Sequence, residues 1–195
     1  MFVQLIQGKV KDEAGLRKQQ DRWNEEIRPG AQGFLGATSG VAKDGTWITL
    51  ARFESEEAAR RNSDRPEQGK WWSETEQYLS DVTFHDCTTV DEIMGGGSNE
   101  AGFVQVMQGR AKDPEKLRSM GREMEPDMKK MRPDVLGGIV AWHGDGNDFT
   151  QTMYFQSESR AREEEAKMSG DGPPPEWAQE MEITNYIDLS DPWLV

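Results

Sequence analysis

His85 and Cys87 alternate along a run, DVTFHDCTTV, that reads as an extended strand, so their side chains share one side. An imidazole that titrates near neutrality can act as a general base, and Tyr186, near the corresponding place in a second copy of the pattern, can donate to a ligand oxygen. Gln7 and Gln108 each offer an amide donor and acceptor suited to a ligand carbonyl or phenol. Trp23, Trp71 and Trp72, with Trp142 and Trp177 further on, supply the aromatic surface that lines apolar pockets. Each also has a plainer use: a satisfied strand histidine, an amide bonded to backbone, an indole in the core. His143 with Asp145 and Asp148 could draw a cation, but WHGDGND reads first as a solvated hairpin.

The elements that must position these residues occur twice. FVQLIQGKVKD at residues 2–12 returns as FVQVMQGRAKD at residues 103–113. A repeat of this length in a chain of 195 residues divides it into units of similar size: residues 1–94, a Gly-rich linker at 95–101 (GGGSNEA), and residues 102–195.

In the first unit Phe2 to Gly8 is a strand. Asp12 caps a helix whose Leu16, Trp23 and Ile27 share a face, and Arg28-Pro29-Gly30 ends it. Phe34 to Val41 and Thr46 to Phe53 form a hairpin around Asp44-Gly45. Ser55 opens a short helix, DRPE at 64–67 resembles a capping box for the next, and Val82 to Val90 closes the unit. The second unit repeats this order. Its first helix carries Leu117, Met120, Met124, Met128 and Met131 on one face, and SGDGPPP breaks its second.

Strand, helix, strand, strand, helix, strand is the ferredoxin-like arrangement of an α+β protein. Apolar residues lie on both sides of the first strand, Val3 and Leu5 against Phe2 and Ile6, so two antiparallel sheets packed face to face would cover the side that helices leave bare. Gln7 and Gln108 share the side of Val3 and Leu5; Gln4 and Gln105 are expected on the other side, between the sheets. Any cleft is expected beneath the helices, and the Met filling and helix breaks predict a more collapsed pocket in the second unit.

Composition sets further bounds. A net charge of −13 repels nucleic-acid phosphates and anionic lipid, so neither nucleic acid nor a membrane is an expected partner. The longest apolar stretch, VLGGIVAW, is too short to span a bilayer. Met1 leads directly into a strand with no secretory pattern, which points to the cytoplasm. Cys87 is the single cysteine, no metal-ligand spacing is present, and no phosphate, flavin or nicotinamide fingerprint appears, so no cofactor is expected.

The opening strand with Gly8, the run WITLARFESEEAARRNSDRPEQGKWW and the closing DVTFHDCTTV resemble the antibiotic biosynthesis monooxygenase type of domain in the dimeric α+β barrel superfamily. The resemblance implies a fused, tandem copy: a monomer serving as its own pseudo-dimer, with further homodimerisation left open. It also implies a small hydrophobic or aromatic ligand. The activity implied is cofactor-independent monooxygenation of an electron-rich aromatic or quinol, with His85 and Gln7 as catalytic candidates. The alternative is a non-catalytic binder of a hydrophobic metabolite, or an assembly module.

In the haem-degrading branch the working set is an Asn, a helix Trp and a His about three turns on. The matching places here are Gln7, Asn62 and Trp72, and in the second unit Gln108, Glu164 and Pro174. No axial His stands at either, which argues against haem degradation by that scheme. Trp23, Asn62, Trp71, Trp72, Gln108 and Tyr186 remain as ligand-binding candidates.

Overall fold

A computed structural model describes residues 1–168 and 176–195, so the SGDGPPP break and Pro174 lie outside the described residues. The chain forms two units, Met1–Thr88 with Trp193–Val195, and Thr89–Pro192.

Unit 1 contains β1 (Phe2–Val10), α1 (Glu13–Arg22), β2 (Phe34–Val41), β3 (Thr46–Phe53), α2 (Glu56–Ser63), α3 (Pro66–Thr75) and β4 (Leu79–Cys87). Asp12 accepts from the Gly15 amide and Ser55 from the Ala58 amide, each satisfying one orphan donor of a first helical turn. The expected capping box before α3 does not form: Arg65 is the N-cap without a side-chain bond, and Pro66 starts the helix with its ready-made φ. Asp44 accepts from the Thr46 amide at 2.9 Å and Gly45 takes φ +79°, which turns the β2–β3 hairpin.

Unit 2 contains β5 (Thr89–Ile93), β6 (Phe103–Ala111), α4 (Pro114–Met131), β7 (Val135–His143), β8 (Asp148–Phe155), α5 (Glu158–Met168), α6 (Glu176–Gln179) and β9 (Met181–Leu189). A final strand, β10 (Trp193–Leu194), belongs to unit 1. The sheet orders are β10-β2-β3-β1-β4 and β5-β7-β8-β6-β9, with every pairing antiparallel.

The expected boundaries at residues 94 and 102 differ from those observed. The closing run DVTFHDCTTV leaves the first sheet at Cys87 and, after one residue, enters the second as β5. The expected linker turns within unit 2, where the Gly96 amide bonds the Ile93 carbonyl at 3.1 Å. Conversely, β10 returns to the first sheet, where Val195 and Ala37 exchange backbone bonds at 2.8 and 3.0 Å. Trp193 is buried with Ile6, Leu16, Trp47 and Leu79, and the Arg17 guanidinium lies 4.7 Å from its ring. Each sheet thus takes its outer strand from outside its own copy of the repeat.

β5 is held by Asp91. Its carboxylate accepts from Arg118 of α4 at 2.7 and 2.8 Å and from the Trp142 indole at 2.8 Å. Burial pushes the Asp91 pKa up, but the bonds from Arg118 and Trp142 outweigh it and leave the group below its ordinary value.

Two outcomes follow. Trp193→Ala should cost about 3 kcal/mol or more in denaturant unfolding of unit 1, by removal of a buried indole. Because the folded Asp91 pKa is depressed, its stabilisation is complete above the unfolded value of about 3.9 and is lost as the pH falls through the folded value. Asp91→Asn should therefore be less stable at pH 7 and lose less stability than the parent on acidification, measured by urea unfolding across pH 7 to 3.

Candidate functional site

Strand alternation and antiparallel register place one row of side chains beneath the helices across the middle of each sheet. In unit 1 the row is Trp193, Ser39, Thr49, Ile6 and Phe84. In unit 2 it is Asp91, Val140, Gln151, Met107 and Tyr186. The helix side is identified by contact: Phe2 packs on Ala58 and Ala59, Ile6 clusters with Leu16, and Arg118 reaches Asp91. Gln4 and Gln105 therefore face the helices, not a second sheet as expected, because they share the strand side of Phe2 and Phe103.

The unit 1 row is closed except at its edge, where Phe84 is 49% exposed. Trp193, Ser39, Thr49 and Ile6 are all at most 8% exposed, and Ser39 and Thr49 satisfy each other at 2.5 Å. Above them the helices are tied together by indoles. The Trp71 N–H donates to the Gln19 carbonyl, and the Trp23 N–H to Gln68, both at 2.8 Å; Arg22 pairs with Glu74. Trp23 meets Phe34 edge-on at 4.9 Å, and Trp72 meets Phe84 at 5.3 Å. Trp23 and Trp71 are thus core residues with satisfied donors. Asn62 is buried as well; its carbonyl accepts from Arg65, which also clamps the Ile27 carbonyl. Among the described residues, three buried atoms of this unit, Asn24 Oδ1, Trp47 Nε1 and Arg52 Nε, have no hydrogen-bond partner.

The unit 2 row is open. Asp91, Val140, Gln151 and Met107 are half-buried and Tyr186 is 59% exposed, although three of them sit on interior strands. The cause lies in the helix above. The place of Trp23 in the repeat is taken by Met124 and that of Ile27 by Met128, and α4 has no fully buried residue. At one end of the row Met107, Leu117 and Val140 pack against Trp142 and Phe149; at the other Met153 packs against Phe103 and Phe155. A side chain at Gly138 would strike Met153 Sδ, 2.5 Å from an ideal Cβ, so the glycine lets Met153 lie flat on the sheet. The row does not support the expectation of a more collapsed second pocket: thioethers cover it less than indoles cover the row of unit 1.

Polar groups converge on the row. Gln151 stands at its middle, without a hydrogen bond among the described residues. Beside it, Gln105 donates to Asp188 at 3.1 Å, and Asp188 also pairs with Arg162, whose guanidinium lies 5.2 Å from the Phe103 ring. Burial pulls the Arg162 pKa down, but Glu165 and Asp188 outweigh it and raise it. Gln4 and Asp86 repeat the amide–carboxylate pair in unit 1 at 3.2 Å, whereas Arg60, the counterpart of Arg162, pairs with Glu56.

His85 and Gln7 occupy the opposite face of the first sheet, in register with Leu5 and with Ile48 and Thr83 respectively. Cys87 on that face is fully buried, and burial followed by the nearby Asp86 charge pushes its thiol up to about 12, which makes it a poor nucleophile. Gln108 also lies away from the helices, donating to Thr150 at 3.3 Å and accepting from Asn185 at 3.2 Å; Thr150 meets His143 at 3.1 Å. Tyr186 corresponds to Phe84, and the counterpart of His85 is Ile187, because the β7–β8 hairpin has one residue more: six residues separate the paired Trp142 and Phe149, and five the paired Val41 and Trp47. A one-residue shift exchanges the faces.

Among the described residues no group of three His, Cys, Asp or Glu side chains could hold a metal, and Asp145 and Asp148 are both taken by Arg110. No helix among them is long and apolar enough to cross a membrane. Reasoning from sequence missed Gln151, Met107 and Asp188; the signal available was the Gln4/Gln105 repeat, read onto the wrong side.

No family model and no curated protein matches the chain. Solved structures do. A protein named a putative monooxygenase from Lactobacillus acidophilus NCFM aligns over 100% of this chain and 98% of its own, at 10% identity and TM-score 0.69. One so named from Fusobacterium nucleatum aligns over 96% and 89%, at 9% identity and TM-score 0.68. An uncharacterised ferredoxin-fold protein from Listeria monocytogenes, described as related to antibiotic biosynthesis monooxygenases, aligns over 97% and 94% at 10% identity and TM-score 0.54. At such identities the likeness is one of fold, and the chain has the ferredoxin-like fold of proteins related to antibiotic biosynthesis monooxygenases, carried as two units on one polypeptide.

Proposed function

We propose that the chamber beneath α4 in unit 2 binds a small, largely apolar aromatic molecule that carries a carbonyl or phenolic oxygen. The observation that carries this reading is the half-exposed row Val140–Gln151–Met107 on interior strands, where the matching residues of unit 1 are sealed. An apolar cavity with few converging polar groups is the usual form of a small-molecule site. Gln151 supplies both a donor and an acceptor at the centre, and Tyr186 adds a hydroxyl at the edge. The thioethers of Met107, Met124 and Met153 adapt to a ring of varied outline.

Binding without chemistry is favoured by the two carboxylates at the row: Asp188 is held by Arg162 and Gln105, and Asp91 by Arg118 and the Trp142 indole, so neither is free to approach a ligand. Cofactor-independent oxygenation of an electron-rich ring is the second reading, favoured by the fold shared with proteins named as monooxygenases. In that case Gln151 would orient the phenolic oxygen, and Asp188 would take its proton.

Calorimetric titration with 1-naphthol, followed by oxygen uptake on the complex, tests both. Val140→Trp, which fills the chamber, should weaken binding by about tenfold or more, and Gln151→Leu by about fivefold, the loss of one hydrogen bond near 1 kcal/mol. His85→Ala should bind as the parent does. Binding untouched by Val140→Trp and Gln151→Leu would reject the site; oxygen uptake abolished by Asp188→Asn would establish the second reading over the first.

A further inference from the structure

A cavity lies on the other flank of α4, away from the Met face. It is a groove of about 660 Å³, within the roughly 300–1,000 Å³ of small-molecule sites. Its floor is apolar, built by Met94, Val135 and Leu136 with Pro126 and Pro133 beside them. Arg122 and Lys129 stand on its rim, two helical turns apart on one side of α4.

These two cations, like Arg160 and unlike most basic groups of the unit, hold no carboxylate. Arg110, Lys116, Arg118, Arg132, Arg162 and Lys167 all hold carboxylates. Arg122 and Lys129 have no salt bridge or hydrogen bond among the described residues, in a chain whose net charge is −13. The carboxylate between them, Glu125, is turned to the loop and accepts from the Met94 amide at 2.7 Å. Pro126 lacks an N–H, so the Arg122 carbonyl loses the helical bond it would otherwise receive. The groove thus combines an apolar floor, two cations outside any ion pair, of which Arg122 lies within reach of the Asp91 charge, and a carbonyl short of a donor.

We propose that this groove binds a small amphipathic anion: its apolar body on Met94, Val135 and Leu136, and its acidic group between Arg122 and Lys129. Charge complementarity selects the class, since a neutral molecule of the same shape leaves both cations in water and gains only the floor. The site is independent of the chamber under the Met face, and either can exist without the other.

Two probes that share one ring system separate the contributions: 1-anilinonaphthalene-8-sulfonate and neutral N-phenyl-1-naphthylamine, each titrated by fluorescence. The double variant Arg122→Gln/Lys129→Gln changes exposed side chains only, and circular dichroism verifies its fold. It should weaken the sulfonate by about tenfold or more, the scale of a hydrogen bond to a charged group, and change the amine by less than about twofold. Equal losses for both probes, an unchanged sulfonate affinity, or no sulfonate binding by the parent protein would overturn the assignment.

Discussion

The row of side chains that each sheet presents to its helices is fixed by two rules: alternation along a strand and antiparallel register across strands. Neither unit can move a residue out of that row without slipping a whole strand. What differs between the copies is the lid. The helices of unit 1 contribute indoles that bond across the layer, Trp23 after α1 to Gln68 of α3 and Trp71 of α3 to the Gln19 carbonyl of α1, whereas α4 of unit 2 contributes thioethers. A rigid aromatic ring with a satisfied N–H closes the space beneath it; a flexible chain with no donor to anchor it leaves the row half-open.

This difference assigns separate tasks to two copies of one fold. Unit 1 spends its aromatic side chains on its own packing, with Trp193 returning from the chain end to complete the layer. Unit 2 keeps the amide–carboxylate pair found in both copies but adds Arg162, and it places Gln151 where unit 1 has a small hydroxyl already bonded to its neighbour. A duplicated unit in which one copy is packed solid can leave the other free to hold a ligand, since stability no longer depends on both cores being full.

Much of the architecture was legible in the sequence. The strand–helix order of both units, the Asp12 cap and the Asp44-Gly45 hairpin all follow from local chemistry that the tertiary structure did not override. The exchanged outer strands were not legible. β10 has two residues, too few to show a period, and β5 continues the alternation of β4 with no turn residue between them. The site was harder to read. One extra residue between the paired Trp142 and Phe149 of the β7–β8 hairpin displaced Tyr186 by one place relative to His85, and a displacement of one exchanges the faces of a sheet. Tryptophans marked aromatic richness correctly, but richness signalled a filled layer, and the open one was marked by the methionines that replace them.

The central claim is that the row under α4 is the place where a ligand is held. Nine of the ten methionines fall between residues 94 and 181, so methyl-labelled methionine reports on unit 2 almost alone. The decisive measurement is the methyl spectrum of the intact chain during titration with 1-naphthol, whose ring current displaces nearby methyl resonances. The account predicts the largest displacements at Met107 and Met153, with Met1 unmoved. Saturable binding that leaves Met107 and Met153 in place would contradict it.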